Sequence, residues 1–559
     1  MTHLLVDNPA PIFFGVFLLA IVLFNAFIKR AGSRLIEISA LCGIISASAY
    51  LVINILSINR VGMLWHDEAN ILSISAAYTR GQQMYHPVSA SALYSLFYGP
   101  STFLVYAPFL AFFSHPILPI RLAIFTVNLL NLVLLFMLLR TRLSRPVSLA
   151  ILPVGIAFLL TYPGVLLGNR GDAWLLLCIL LAIVSVLRYR PFGWVYAALI
   201  SGICSGLAIN FKATVAPVVC LVIAVLYRKY GHRAVILSAL SCLGSAVAVF
   251  CLPHIALLNY LAWLLISSHQ RFLKSTCAGN ILAGAFLLAP AVLIMVFGGQ
   301  AQRSRRYGWV IPSCCGLAFI VCIVTGSKNG AGGWHLWPMV PFALLGAAYE
   351  ISLRSEVCRR QPELSLERPE RHKTFKSNKT LVVVASIALA GASASMFFAV
   401  RDVRAVRPAG NDAWRTKELT AQQALDRIMQ KYSSNHNLEM GPGVTVTDYR
   451  TDLRFELPLA GQEYFFDENG VVEGIKSNFS IPSNVTSRIL GCGSIWIIPH
   501  GEAPFSSVRG GVLPITTTTF IFPDEIRLHF GDTHTVFERG NVYDLWKCSA
   551  DAARPTSVP

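Results

Sequence analysis

Acidic side chains are almost absent from a long apolar stretch of this chain, and the few that remain are the first candidates for chemistry. Between Ile38 and Tyr349 there are 312 residues and only three carboxylates, Asp67, Glu68 and Asp172. A carboxylate inside an apolar span costs about 2.5 to 3.5 kcal/mol on insertion scales, so those that are retained are functional candidates. Carboxylates in loops are ordinarily just solvated surface residues. Because these three are confined to two loops, the pattern favours a functional site.

Basic side chains in nearby loops suit a phosphorylated ligand. Arg170 precedes Asp172 by two residues in LLGNRGDAW, and Lys212 stands at a predicted helix end in NFKATVAP. The glycine-rich segment TGSKNGAGGWHLWPMVP adds Lys328 and His335, with backbone amides that can approach a phosphate. Arginine offers phosphate a bidentate fork and lysine a point charge. A single lysine at a helix end is more often an anchor at the membrane surface, so the hypothesis depends on all these groups converging.

The composition indicates an integral membrane protein. The chain is 54% hydrophobic and 13% charged, with a mean hydropathy of +0.57, whereas ordinary soluble domains carry roughly 25% charged residues. Apolar runs that reach or approach the roughly 20 residues needed to cross a bilayer predict about 12 to 13 spans. These runs lie near 11–28, 36–58, 117–139, 147–163, 173–187, 193–211, 213–227, 234–252, 279–298, 308–325, 334–351 and 380–399. The first run lacks the flanks of a cleaved signal peptide, so we expect it to remain as a span.

Charge divides the chain into two parts. Of its 46 Lys and Arg and 29 Asp and Glu, 16 and 19 lie in residues 401–559, which leaves 30 basic and 10 acidic residues before them. The basic residues of the first part cluster in short loops, which the positive-inside rule assigns to the cytoplasm. The positive charge therefore reflects membrane topology, and we expect no nucleic-acid partner. The same threading puts Asp67, Asp172, Lys328 and His335 together on the extracytoplasmic side.

The predicted membrane domain is all-α and covers residues 1–400. Its first large outer loop, about 59–116, contains the acidic pair, and a charged cytoplasmic loop is expected at 352–379. The apolar segment 99–113 is short, and counting it as a span would invert every later loop against its charge. We therefore predict that it is juxtamembrane or re-entrant.

After residue 400 the composition becomes that of a soluble domain. Residues 401–559 are predicted to form a small α+β extracytoplasmic domain. A helix is expected over 418–429, with strands at 443–449 and 494–499. Most cysteines lie in or beside the spans as small apolar filler, whereas Cys492 and Cys548 both fall in this domain. A disulfide between these two is one possibility in an oxidising compartment.

The order of the motifs resembles the glycosyltransferase C superfamily (GT-C), in particular the dolichyl-phosphate-mannose protein mannosyltransferase and aminoarabinose transferase type. The resemblance covers about residues 60–345. It rests on the Asp67-Glu68 pair after an apolar helix, the AxxxxGxxMY pattern ending at Tyr85, YGPSTFLVYAP, IRLAIFTVNLL, and the second acidic motif ending in Asp172. SKNGAGGWHLWPMVPF looks like a segment of an uncharacterised bacterial subgroup.

The resemblance implies transfer of a sugar, with inversion, from a polyprenyl-phosphate donor to an extracytoplasmic acceptor, at the inner membrane. The implied roles are Asp67 as the catalytic base with Glu68 as its helper, Arg170, Lys212, Lys328 and His335 as the donor-phosphate site, and Asp172, Tyr85 and His86 as orienting or acceptor groups. The expected partners are the donor lipid, membrane lipids and an unidentified acceptor. We expect no cofactor, with a divalent metal as the alternative because some relatives bridge two carboxylates with one.

Two other classes of function stay open on the sequence alone. Sparse intramembrane carboxylates also carry ions or protons in transporters, although here they cluster at one face and no inverted repeat is detectable. A non-catalytic protein that binds or assembles lipid-linked glycans is the second alternative. The sequence identifies neither the sugar nor the acceptor.

Overall fold

The computed structural model of the chain covers most of both predicted domains. It describes residues 34–58, 66–94, 98–188, 193–297, 310–328, 330–360, 378–406, 411–434, 437–441, 451–467, 474, 477, 479–505 and 522–549. The predicted span at 11–28, the predicted strand at 443–449 and most of the loop predicted at 352–379 lie outside these ranges.

The membrane domain is a bundle of α-helices. Its helices are α1 (Arg34–Ile58), α2 (His66–Thr79), α3 (Ser101–Leu104), α4 (Ala107–Phe112), α5 (Ile117–Arg140), α6 (Arg145–Leu160), α7 (Pro163–Leu166), α8 (Asp172–Arg188), α9 (Gly193–Phe211), α10 (Ala216–Tyr230), α11 (His232–Ala248), α12 (Leu257–Ser268), α13 (Lys274–Phe297), α14 (Val310–Thr325), α15 (Val340–Arg360) and α16 (Asn378–Val406). A 3-10 helix at Gly333–Met339 leads into α15. Within the described ranges, eight helical segments are long and apolar enough to cross a membrane, which makes the chain a multi-pass membrane protein.

Helices occupy every predicted apolar run that falls in the described ranges. The segment 99–113 breaks into α3 and α4, which together are shorter than the eight long apolar helices. Its juxtamembrane or re-entrant position stays a prediction. No span was predicted over 253–278, where the structure has α12. The total of 12 to 13 spans stays a prediction, because the first run is not described.

Burial in the bundle follows from its apolar sequence. Helix α6 is buried along nearly its whole length, from Val147 to Leu160, and it packs against α1, α15 and α16. Peripheral helices instead expose large apolar side chains, such as Leu240 and Leu243 on α11. An apolar side chain gains nothing from water, so these exposed faces are suited to lipid.

The C-terminal domain is small and mixed. Its elements are α17 (Asn411–Tyr432), β1 (Asn437–Met440), α18 (Thr451–Leu459), α19 (Ser483–Leu490), β2 (Ser494–Pro499), α20 (Asp524–Thr533), β3 (His534–Arg539) and β4 (Tyr543–Cys548). The described strands form one sheet in the order β1-β2-β4-β3, in which β1 and β2 are parallel and the other pairs antiparallel. Helix α17 contains the predicted helix over 418–429, and β2 is the predicted strand at 494–499. A disulfide joins Cys492 to Cys548.

The C-terminal domain packs on the chain that follows α2. Leu93 makes a short parallel bridge with it, donating its N–H to the Phe465 carbonyl and accepting from the N–H of Asp467, both at 2.8 Å. Arg80 donates to the Leu459 carbonyl. Side chains of α2 and of the C-terminal domain share one hydrophobic core, so the two domains meet along α2 and the chain that follows it.

Candidate active site

Helix α2 presents two carboxylates in its first turn, where the positive end of the helix dipole favours negative charge. Asp67 and Glu68 are consecutive and therefore point in different directions around the helix. The side chain of Asp67 is 17% exposed, whereas Glu68 is buried at 1%. The two members of the acidic pair thus occupy different environments: Asp67 is partly accessible to solvent and Glu68 is not.

Glu68 helps to hold the loop between α7 and α8. Its Oε1 accepts the backbone N–H of Asn169 at 2.9 Å. Two buried asparagines of α5 hold the same loop, since Asn128 Nδ2 donates to the Leu166 carbonyl and Asn131 Nδ2 donates to the Ala173 carbonyl, both at 2.9 Å. Polar side chains inside an apolar bundle therefore fix the segment that carries Arg170.

Arg170 is the centre of a buried ion cluster. Its Nη1 lies 2.7 Å from Asp67 Oδ2, and its Nε lies 3.3 Å from Asp172 Oδ2. Its Nη2 donates to the Tyr98 hydroxyl at 2.8 Å. Lys212 Nζ pairs with the other oxygen of Asp172. Two cations and two carboxylates from three distant segments thus meet at one end of the bundle.

Aromatic rings cover the two cations. The Arg170 guanidinium lies 5.8 Å from the centre of the Tyr98 ring and 5.1 Å from that of Trp334, and Lys212 Nζ lies 5.5 Å from the Tyr98 ring. Cation–π attraction is strongest where water is excluded, and the Arg170 and Lys212 side chains are only 5% and 13% exposed. The cluster therefore combines concentrated charge with restricted access of water.

Two glycines allow the segments of the cluster to approach. A Cβ at Gly99 would lie 1.9 Å from the Asn210 carbonyl oxygen, and one at Gly171 would lie 2.8 Å from both Thr102 Oγ1 and Phe211 Cδ1. A side chain at Gly99 would force two backbones apart, and one at Gly171 would displace the side chains of Thr102 and Phe211. These contacts bring the residue before Gly99, which is Tyr98, close to Lys212 at the end of α9.

The structure brings His335 to the cluster, while Lys328 lies within electrostatic range of His335 and makes its hydrogen bond elsewhere. His335 lies in the 3-10 helix before α15, near enough to interact electrostatically with Asp172 and Arg170. Lys328 Nζ donates at 3.0 Å to the carbonyl of Ser268, the last residue of α12, where a cation complements the helix dipole. Among the ion pairs of the described residues, none includes Lys328. Its predicted phosphate contact stays a prediction.

Tyr85 and His86 are buried in the packing of the first outer loop. Tyr85 reaches the cluster only indirectly, because its hydroxyl donates to the Tyr98 carbonyl at 2.5 Å. His86 Nε2 accepts the Tyr94 N–H at 3.1 Å while Nδ1 contacts the Pro87 carbonyl at 2.8 Å. This pattern requires a neutral ring with its proton on Nδ1, and burial lowers the pKa of His86 to about 4. The geometry gives His86 a structural role.

Sequence reasoning missed three contributors to the site. Tyr98 is in the quoted YGPSTFLVYAP motif, but nothing local singles out its hydroxyl as a partner of Arg170. Asn169 acts through its backbone N–H, which leaves no signal in residue type. Trp334 precedes His335, and its ring covers Arg170 only in the folded chain.

The donor set of the cluster does not resemble a metal centre. Within the described ranges, no group of three or more His, Cys, Asp or Glu side chains is placed to hold a metal ion. Asp67 and Asp172 are each paired with Arg170 instead. What the cluster offers chemically is a partly exposed carboxylate beside two cations that can bind an anion.

The fold of the chain is that of the GT-C membrane glycosyltransferases. The structure is similar to ArnT, an aminoarabinose transferase, from Cupriavidus metallidurans. Against ArnT bound to undecaprenyl phosphate the TM-score is 0.53 at 15% identity, covering 92% of this chain and 99% of ArnT. Against ArnT in the apo state it is 0.52 at 14% identity, covering 92% and 98%. No protein-family model and no curated protein matches the sequence. At these identities the likeness establishes the fold.

Proposed function

We propose that this protein is an inverting glycosyltransferase that moves a sugar from a polyprenyl-phosphate donor to an acceptor on the extracytoplasmic side of the inner membrane. The observation that carries the proposal is the buried cluster in which Asp67 and two cations meet at one end of an apolar bundle. The fold shared with ArnT, which has been crystallised with undecaprenyl phosphate, supports the same class of donor.

Asp67 is the proposed base. An inverting transfer is a single displacement, in which an acceptor oxygen attacks the anomeric carbon as the bond from that carbon to the phosphate oxygen breaks. The acceptor proton passes to Asp67, which requires hydrogen-bond reach of about 2.6 to 3.2 Å. Asp67 suits this role better than Glu68, because its side chain is partly exposed while Glu68 is buried against the Asn169 amide.

Arg170 and Lys212 are the proposed phosphate site. The leaving polyprenyl phosphate gains negative charge as the glycosidic bond breaks, and preorganised cations lower that barrier most where water is excluded. Both side chains are nearly buried. Asp172 contacts both cations and would hold them in position, which makes it a positioning residue in this scheme. His335 interacts electrostatically with Lys212, Asp172 and Arg170, and we assign it a secondary role at the donor head group.

The membrane keeps the donor at the site. Each buried CH₂ group of a prenyl chain contributes about 0.8 kcal/mol, so the lipid tail stays in the bilayer and only its head group enters the cluster. Both carboxylates of the cluster lie at helix N-termini: Asp67 is in the first turn of α2, and Asp172 is the first residue of α8. A transporter would place them near the midplane, so their position favours transfer chemistry.

Movement of label from a lipid donor tests the proposal whatever the acceptor is. Membranes containing the wild-type chain are given polyprenyl-phosphate sugars with a radiolabelled sugar, and label leaving the lipid fraction is followed. We expect transfer with at least one donor and loss of transfer in Asp67→Asn. Full transfer by this variant would refute the role of Asp67. Proton-coupled uptake that depends on Asp172, without transfer, would establish the transporter class instead.

A further inference from the structure

We infer that the donor phosphate unmasks the base: it replaces Asp67 on Arg170, and only then can Asp67 accept a proton. The inference rests on the proposed function and specifies the order of events in the same cluster. It starts from one contact, the 2.7 Å ion pair between Arg170 Nη1 and Asp67 Oδ2.

Every nitrogen of the Arg170 guanidinium already has a neighbour. Nη1 faces Asp67, Nη2 donates to the Tyr98 hydroxyl, and Nε lies 3.3 Å from Asp172. The Trp334 ring also lies against the guanidinium, with its centre 5.1 Å from the guanidinium carbon. A guanidinium has five N–H donors and binds phosphate through paired ones. A phosphate that takes up the fork at Nη1 and Nη2 therefore competes there with Asp67 and with the Tyr98 hydroxyl.

Asp67 is the carboxylate that a ligand displaces most readily. Asp172 is held by Lys212 as well as Arg170, and its side chain is only 4% exposed. The Asp67 side chain is 17% exposed, so it is the member of the pair that a ligand entering from the surface meets first. Removing the deeply buried Asp172 carboxylate from both Arg170 and Lys212 would cost more than breaking the partly exposed pair between Arg170 and Asp67.

The exchange has a direct chemical consequence. A cation within hydrogen-bond distance stabilises an ionised carboxylate and makes it a weaker base. When the phosphate takes over Arg170, Asp67 loses that stabilisation and its proton affinity rises. The base is therefore activated where a donor is present, and donor binding precedes deprotonation of the acceptor. The ion pair also keeps the empty site electrically balanced.

Binding of undecaprenyl phosphate to the purified full-length chain in nanodiscs tests the exchange. If Asp67 competes with phosphate for Arg170, Asp67→Asn should bind this lipid about tenfold more tightly than the wild type, the size expected for losing one competing charged hydrogen bond. Glu68→Gln is the matched control. It removes the same charge one residue away, and glutamine keeps a side-chain oxygen that can accept the Asn169 backbone N–H, so the loop that carries Arg170 stays held. We expect its affinity to stay within about twofold of wild type, since no competing ion pair is lost.

Equal or weaker binding by Asp67→Asn would overturn the inference. Equal tightening by Glu68→Gln would also overturn it, because the effect would then reflect net charge rather than exchange. Asp67→Ser gives the same comparison if the asparagine variant unfolds, as monitored by tryptophan fluorescence on heating. If the wild type transfers sugar but these variants do not bind the lipid more tightly, the exchange is refuted and the proposed function stands. Absence of both transfer and lipid binding in the wild type would remove both.

Discussion

Arg170 in the membrane domain and Arg488 in the C-terminal domain each lie between two carboxylates. Arg170 contacts Asp67 and Asp172, and Arg488 contacts Glu439 and Glu463 at 2.8 and 2.9 Å. Both guanidinium groups also lie over an aromatic ring, that of Phe465 in the case of Arg488. By composition and contacts the two clusters are alike.

Their surroundings separate the two clusters. Glu439 also accepts hydrogen bonds from Ser494 and Asn437, at 2.9 and 2.8 Å, so its charge is used to tie α19 to the strands. The Arg488 cluster has one cation for two carboxylates. The Arg170 cluster has a second cation, Lys212, and opens at Asp67. Burial of a charge alone does not mark a site. Both clusters include a partly exposed carboxylate, Asp67 at 17% and Glu463 at 48%. The additional cation, Lys212, and the deeper burial of Arg170 distinguish the cluster that can accept an anion.

Replacing Arg170 should have the largest effect on transfer. Arg170→Met removes a cation from the leaving phosphate and should lower the transfer rate by about 10³-fold, the size seen when one preorganised donor is lost. Arg170→Lys keeps the charge but loses the fork and should recover part of the rate. Initial rates, with circular dichroism to verify folding, measure this. If Arg170→Met kept more than half of the wild-type rate, the Arg170 cluster would be no more important for transfer than the Arg488 cluster is expected to be.

Lys212 is expected to contribute less than Arg170. Lys212→Met leaves the Asp172 carboxylate paired with Arg170 only, and we expect a loss of about 10²-fold in transfer rate. Lys212→Arg is the matched control, because it restores the charge at the same position. If Lys212→Met and Lys212→Arg lose the same activity, the transfer rate depends on the shape of this side chain rather than on its charge. The proposed phosphate contact would then be wrong.

Arg488 should matter for stability and not for transfer. Arg488→Met leaves Glu439 buried without its cation, which is expected to lower the free energy of unfolding of the C-terminal domain by about 3 to 5 kcal/mol. The transfer rate per folded molecule should stay within about threefold of wild type, because no group touching the donor changes. Urea unfolding followed by hydrogen exchange in β2 measures the first quantity. A specific loss of rate without loss of stability would contradict the comparison.

Glu456 in α18 provides the smaller of the two expected effects on stability, a dependence of stability on pH. Burial, with a smaller contribution from the charge of Asp426, raises the pKa of Glu456 from 4.5 to about 7. The folded state therefore holds the proton more tightly. Its stabilising contribution is fully present below pH 4.5 and is lost as the pH rises through 7, amounting to up to about 3 kcal/mol. Glu456→Gln should flatten this part of the stability profile of the C-terminal domain, measured by urea unfolding between pH 4.5 and 8; an unchanged slope would contradict the assignment.

Much of the fold and part of the site follow from the sequence for a physical reason. A helix that crosses a bilayer must be apolar over its whole length, so the spans and the rare carboxylates in the loops are local signals. Asp67, Asp172, Arg170 and Lys212 were found in this way, and the structure brings them into contact.

The remaining features depend on contacts between distant segments. Helix α12 is short and includes Asn259, whose side chain donates to the Tyr85 carbonyl, so its apolar run is too brief to read as a span. Tyr98 is one of 18 tyrosines, and only the approach of Gly99 to α9 identifies it. Lys328 was grouped with the other cations by sequence alone, but its tertiary contact is the end of α12.

One comparison tests the central claim most directly: the transfer rates of Asp67→Asn and Glu439→Gln, measured side by side in the labelled-lipid assay. Each change removes one carboxylate charge from an arginine that lies between two carboxylates. We expect Asp67→Asn to lose about 10³-fold in rate, as for loss of a general base, and Glu439→Gln to transfer at the wild-type rate per folded molecule. Equal losses in the two variants, or a fully active Asp67→Asn, would contradict the assignment of the Arg170 cluster as the active site.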